Sequence, residues 1–146
     1  MVIEGLTTDW ACQSWFSSNS GFASSGDLLQ TFGHVPVPVA HCETQQFNDQ
    51  LRSTMLLKDF IESSQTSGAT ALYLKDWHMV RDAPAGYQAY RQPLFFSDDW
   101  INAYWDSHQE KEQDDYIGRK GTFTPLHKDV FRSYSWSANV VGCKRW

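Results

Sequence analysis

The apolar positions change period along the chain, and each change marks an expected element. Trp10, Cys12 and Trp15 suit a helix capped by Thr8 or Asp9, and Leu28, Leu29 and Phe32 suit a second one capped by Ser25 and closed by Gly33. In Val35-Pro36-Val37-Pro38-Val39 each Pro removes a ladder donor. That stretch is expected as an edge strand or polyproline-like segment, not a central strand. After Thr54, residues Leu56, Leu57, Phe60 and Ile61 share a helical face and predict a packing helix. From Ala69 to Leu74 the chain reads as a strand with Tyr73 pointing opposite to Leu72 and Leu74, and Lys75, Asp76, Trp77 and His78 follow as it exits. The Gly-, Pro-, Tyr- and Gln-rich run 81–93 predicts a loop. Ser97 is expected to cap a short helix through Asp98, Asp99, Trp100, Ile101, Tyr104 and Trp105. Two β-branched and aromatic stretches, 121–129 and 135–146, then predict a pair of strands, with Tyr134 to Val141 the apolar one.

Composition narrows the class. No repeat, low-complexity tract or linker divides the 146 residues, which suit one domain or part of one. Hydrophobic content of 41% with seven Trp excludes a disordered chain and points to a packed or ligand-lining interior. The net charge of −5 carries no basic footprint, so nucleic acid is not an expected partner. The acidic cluster Glu110, Glu112, Asp114 and Asp115 reads as a solvated loop. Cys12, Cys42 and Cys143 are odd in number, form no Cys-x-x-Cys pair and follow no signal peptide, which fits a reducing compartment. No apolar run approaches the ~20 residues of a membrane span. A soluble protein of the cytoplasm, or also the nucleus, is expected.

The candidate chemistry lies in the last quarter. In an extended strand, residues two apart share a face, so His127 and Asp129 would present an imidazole and a carboxylate side by side. Such donors suit a non-haem Fe(II) centre held by two His and one carboxylate. Lys144 stands fifteen residues beyond Asp129 in an apolar segment, and a buried ammonium there needs an anion. Thr124, three residues before His127, has a hydroxyl for the same anion. Neither His34, His41 nor His108 pairs at ligand spacing with a second His or a Cys pair, and His78, about fifty residues before His127, reads as a satisfied or surface histidine.

The arrangement Thr124-x-x-His127-x-Asp129, followed by Ser135-Trp136-Ser137-x-Asn139 and Gly142-x-Lys144-Arg145-Trp146, resembles the jumonji-C (JmjC) 2-oxoglutarate oxygenases. Tyr73-Leu74-Lys75-Asp76-Trp77-His78 and Phe96-Ser97-Asp98-Asp99-Trp100 are similar to one subgroup, the JmjC domain-containing protein 4 type. The resemblance implies a mainly β fold with flanking helices: a partial double-stranded β-helix, the jelly-roll or cupin-like barrel, truncated before its last strands. It implies one partial domain over 1–146, with a helical flanking part at 1–68 and the first barrel strands at 69–146. Fe(II) would be held by His127, Asp129 and a later His, and the distal carboxylate of 2-oxoglutarate by Lys144, Thr124 and Tyr73. Ser137 and Asn139 are further cosubstrate candidates.

By the same resemblance the complete protein hydroxylates a protein substrate, the subgroup's being a lysine of the translation termination factor. Histone lysine demethylation is an alternative chemistry on that site. Two departures from the family pattern suggest a fragment. No His follows Asp129, and the stretch Asp114-Asp115-Tyr116-Ile117-Gly118 is a few residues shorter than the family's strand there. An inactive partial domain acting as a binding module therefore stays open, as does a cupin-like protein using His127 and Asp129 for another metal reaction. Lys144 and Thr124 count against the last.

Overall fold

The longest strands come from the part of the chain expected to be helical. β1 (Pro36–Gln46) and β2 (Asp49–Leu56) form an antiparallel hairpin around Phe47 and Asn48, with Gln46 opposite Asp49 and Pro36 opposite Leu56. In this computed structural model, which describes residues 2–15, 26–66, 68, 70–85, 87–107, 114–129, 132 and 134–146, β3 (Leu72–Trp77) and β4 (Asp115–Gly118) join them. The result is one four-stranded antiparallel sheet in the order β2-β1-β3-β4. Among the described residues the α-helices are α1 (Gly26–Phe32), α2 (Leu57–Gln65), α3 (Met79–Asp82) and α4 (Trp100–Ser107). This is the mainly β, helix-flanked architecture expected of a partial JmjC fold, and its sheet runs across the 68/69 boundary.

β1 is nevertheless a central strand, against the expectation set by its prolines. The reason lies in amide direction. Along an antiparallel strand a residue's N–H and C=O address the same side, and successive residues alternate. Val35 O accepts from Leu57 N at 3.0 Å on the β2 side, whereas Cys42 N donates to Ala71 O at 2.9 Å on the β3 side. Even-numbered residues therefore address β3, and Pro36 and Pro38 are among them. β3 pairs with β1 only over Val39 to His41, so the prolines lie where no ladder partner is lost.

α2 starts one residue later than its periodicity suggests. Leu56 is extended and ends β2, while Leu57, Phe60 and Ile61 are buried. At the end of α1, Gly33 N donates to Leu29 O at 2.9 Å, and a Cβ there would lie only 2.4 Å from that oxygen, so a glycine closes the helix. Asp99, not Ser97, caps α4: its Oδ1 accepts from Asn102 N at 3.0 Å. Ala11–Trp15 is a 3-10 helix, and the Thr8 hydroxyl donates back to Gly5 O. Ser25, Ala69, His108, Glu110 and Glu112 lie outside the described residues.

Cross-strand register divides the sheet into two faces. Ser53, Val39, Leu74 and Ile117 form one row, and Arg52, Ala40, Tyr73 and Gly118 the next. Successive rows point to opposite sides. The first face carries the core, in which Val37, Val39 and Leu74 cluster with Leu28 and Phe32 of α1 and Leu57, Phe60 and Ile61 of α2. Trp77 joins them despite its odd spacing from Leu74, because the register slips at Asp76, whose φ is 61°. Phe32 then meets Trp77 edge-on with centroids 5.4 Å apart.

The expected strand pair at 121–129 and 135–146 does not form; neither stretch is in a ladder. The alternation survives without the hydrogen bonds. Trp136, Ala138 and Val140 pack on the core while Ser135, Ser137 and Asn139 face outward. Trp136 is stacked on Phe96, with centroids 5.4 Å apart, as a core residue.

Candidate functional site

The second face of the sheet is polar, and a returning segment lies over it. After β4 the chain turns at Arg119 to Thr122: Thr122 N donates to Arg119 O at 3.1 Å and Gly121 has φ 96°, the left-handed position that a type II turn reserves for glycine. The segment from Thr122 then runs back across β3, β1 and β2. Gln50 Nε2 donates to Phe123 O at 3.2 Å, and Cys42 Sγ to the same oxygen at 3.8 Å. Side chains hold this segment in place of a strand ladder.

Thr124 is thereby brought to Tyr73, near enough for its hydroxyl to act on the phenol. Burial pushes the Tyr73 phenol above its usual pKa, so it stays a neutral hydroxyl. Its ring needs the glycine beside it. A Cβ on Gly118 would stand 2.7 Å from the Tyr73 ring and 2.2 Å from Thr122 Oγ1.

His127 and Asp129 come together as expected, though from an irregular segment. His127 Nδ1 lies 2.8 Å from Pro125 O, and Nε2 lies 3.2 Å from Asp129 Oδ1. Asp129 Oδ2 accepts from Ser135 Oγ at 3.0 Å. A carbonyl can only accept, so the hydrogen bond to Pro125 places a proton on Nδ1, and Nε2 is the nitrogen that faces the carboxylate. Two acceptors in that position need a proton or a metal cation between them. Adjacent donors of an octahedral ion with bonds of about 2.1 Å stand about 3.0 Å apart, so the pair suits two neighbouring positions of one metal. Among the described residues no group of three His, Cys, Asp or Glu could hold a metal ion.

Lys144 departs from expectation, because it is exposed and not buried. Its Nζ lies 4.0 Å from the Trp146 ring centroid and 5.5 Å from that of Tyr116. Loss of water against these rings holds its pKa below the usual lysine value. Tyr116 in turn sits 6.1 Å from Tyr73, ring to ring, so Lys144 borders the Tyr73–Thr124 pair without touching it. Ser137 and Asn139 face outward, and Asn139 Nδ2 donates to Gly142 O at 2.8 Å.

Further residues, not singled out as candidates, complete this face. A cleft of about 330 Å³ beside His127 is lined by Asp49, Arg52, Lys75, Thr124, Leu126 and His127. Arg52 donates to Asp76 Oδ2 at 2.6 Å, and Tyr116 OH donates to Asp76 Oδ1 at 3.2 Å, so one carboxylate ties β2 to β4 across the face. Ala40, between Arg52 and Tyr73 in the row, leaves the room for that reach. Lys75 was legible as the residue two beyond Tyr73, hence on its face.

The remaining candidates have structural partners. His41 Nε2 is 2.8 Å from Ser53 Oγ, and His78 Nδ1 is 3.5 Å from Asp114 Oδ1. Asp115, expected in a solvated loop, is instead part of β4 on the core face. Burial raises its carboxyl to about 7, against the lowering effect of the Met79 amide, which donates to it at 3.3 Å. Burial likewise raises the Cys12 thiol to about 11, whereas Cys143 is exposed; all three cysteines are free.

No family profile matches the chain, and no solved structure does. Curated relatives do, along its whole length. The chain is 42% identical over 165 aligned positions to the arginine-specific demethylase JMJ20 of Arabidopsis thaliana, with all of this chain and 36% of that protein covered. It is 41% identical to the 2-oxoglutarate and iron-dependent oxygenase JMJD4 of Danio rerio, covering 100% and 36%, and 38% identical to JMJD4 of Homo sapiens, covering 97% and 36%. These relatives and the helix-flanked antiparallel sheet define the class: the chain is homologous to the JmjC oxygenases. Within that class its relatives include several proteins named JMJD4. The chain spans about a third of the length of the curated relatives it matches. The 165 aligned positions exceed its 146 residues, so the relative carries segments that this chain lacks.

Proposed function

We propose that this chain forms the cosubstrate-side part of an Fe(II)- and 2-oxoglutarate-dependent oxygenase that modifies a protein, in keeping with the names of its JMJD4 relatives. The observation that carries this reading is His127 Nε2 set 3.2 Å from Asp129 Oδ1, on the segment that brings Thr124 to Tyr73. His127 and Asp129 would supply two ligands to Fe(II), with the third from outside the described residues. When bound, the ion and its oxo acid supply the oxidising chemistry. The chain's own share is placement. Pro125 O fixes the imidazole tautomer, Ser135 holds the far carboxylate oxygen, and Tyr73, Thr124 and Lys144 offer donors to a carboxylate. The finer reading is hydroxylation of a lysine, with a translation termination factor as substrate, in the cytoplasm or nucleus. Demethylation is the second reading, favoured by the 42% identity to a protein named as an arginine-specific demethylase.

The test is Mn(II) titration followed by electron paramagnetic resonance, with and without 2-oxoglutarate. His127→Ala and Asp129→Ala should each abolish the bound signal, and equal affinity in either variant would place the metal elsewhere. With protein substrate added, gain of one oxygen on a lysine marks the hydroxylase and loss of a methyl group marks the demethylase. Binding of metal or 2-oxoglutarate with no product of either kind would leave the inactive binding module as the function.

A further inference from the structure

We infer that Lys75 anchors a ligand carboxylate in the cleft beside His127, an inference that rests on the oxygenase reading only for the identity of the oxo acid. Lys75 is 7% exposed, yet no hydrogen bond or ion pair engages its ammonium among the described residues. An ammonium that meets solvent only sparingly, at a cleft it lines, and has no acid partner leaves a place for an anion.

The geometry decides where that anion sits. Lys75 follows Tyr73 by two residues on β3 and shares its face, because the slip that turns Trp77 into the core comes only at Asp76. Its side chain lines the cleft together with Arg52, Thr124 and His127. Arg52 is already committed to Asp76 at 2.6 Å and to Asp49 at 3.4 Å. Asp49 is held below the usual carboxylate range chiefly by the Gln50 amide at 2.8 Å, with the charges of Arg52 and Lys75 adding at a distance. Lys75 is therefore the cation of this cleft that has no acid of its own. Lys144 does not line it; that ammonium rests on the Trp146 and Tyr116 rings.

A carboxylate is the chemistry that fits. It can take a charge-assisted bond from Lys75 and another from the Thr124 hydroxyl at once. A cleft of about 330 Å³ admits a small dicarboxylate or one acidic side chain. The source is either a free oxo acid such as 2-oxoglutarate or an Asp or Glu of a polypeptide substrate.

The experiment follows the lysine Cε–Hε signals of the chain by NMR without metal. One arm titrates 2-oxoglutarate and the other a short Glu-containing peptide, each with the wild type, Lys75→Met, Lys75→Arg and Lys144→Met. One probe should shift the Lys75 signal, and its affinity should fall about tenfold or more in Lys75→Met while Lys75→Arg retains binding. The ligand-free unfolding midpoint of Lys75→Met should hold or rise, since a largely buried side chain whose charge has no acid partner is replaced by an apolar chain of similar length. A lowered midpoint would show the ammonium already paired and overturn the inference, as would a Lys75 signal that neither probe moves. If 2-oxoglutarate binds and is lost only in Lys144→Met, the Lys75 site falls while the oxygenase reading stands. If the peptide binds through Lys75 and 2-oxoglutarate binds nowhere, the Lys75 site stands and the oxygenase reading falls.

Discussion

The two faces of the sheet are built from the same four strands and obey different rules. On the core face Val37, Val39 and Leu74 are at most 1% exposed, and any large apolar neighbour that fills the space would serve. On the other face Arg52, Tyr73, Lys75 and Tyr116 each need a particular partner: Asp76 for Arg52 and Tyr116, Thr124 for Tyr73, and an anion for Lys75. Burial stabilises the first face without regard to direction. Hydrogen bonds and charges organise the second, and their net worth depends on every partner being present. Stability and chemistry are thus carried by opposite sides of one layer.

That contrast can be broken first at its apolar side. Phe32, fully buried between Trp15, Trp77 and Tyr87, should cost about 3–5 kcal/mol when replaced by Ala, enough to unfold much of the protein in a urea titration. A loss below about 1 kcal/mol would mean that the core face does not carry the fold.

The next effect comes from the acid on that same face. Asp115 lies opposite Trp77, near Tyr90 and Asp114, and burial lifts its carboxyl from the ordinary range to about 7. The folded protein therefore keeps a proton that the unfolded chain releases near pH 4. Stability should fall as pH rises from about 4 to about 7 and level off above, by on the order of 3 kcal/mol in all. Asp115→Asn should flatten that slope and raise stability at pH 8, read from unfolding free energies at a series of pH values. A slope unchanged in the variant would assign the titration to another group.

The smallest expected effect joins the two faces. In Gly118→Ala the new methyl meets Thr122 Oγ1 and the Tyr73 ring, a clash worth about 1–3 kcal/mol. It should also displace Tyr73 from Thr124, visible as a changed tyrosine hydroxyl environment by NMR. If stability drops while Tyr73 stays in place, the glycine serves packing alone.

Much of this could be read from residue order. Tyr73 opposite Leu72 and Leu74, the inward Trp136, Ala138 and Val140, and the His127–Asp129 contact follow from a period of two, which is a property of extended backbone whether or not a ladder forms. What misled was pairing. The prolines of β1 looked incompatible with a central strand because the extent of β3 could not be known, and Lys144 looked buried because an apolar neighbourhood in sequence was taken for one in space. Asp115 read as solvated from its acidic company, when its place opposite Trp77 puts it among Tyr90 and Met79.

Local chemistry therefore settled which side chains can act: an imidazole and a carboxylate two apart, a hydroxyl three residues earlier, and a glycine that shapes the turn at Arg119 to Thr122. Those follow from backbone geometry within a few residues and need no knowledge of distant contacts. The folded arrangement alone settled which of them meet. Thr124 reaches Tyr73 because Gln50 and Cys42 hold the Phe123 carbonyl from strands more than seventy residues away, and Lys75 faces the cleft because a one-residue slip at Asp76 separates it from Trp77. Long-range register is a cooperative property of the whole sheet, and no window of sequence contains it.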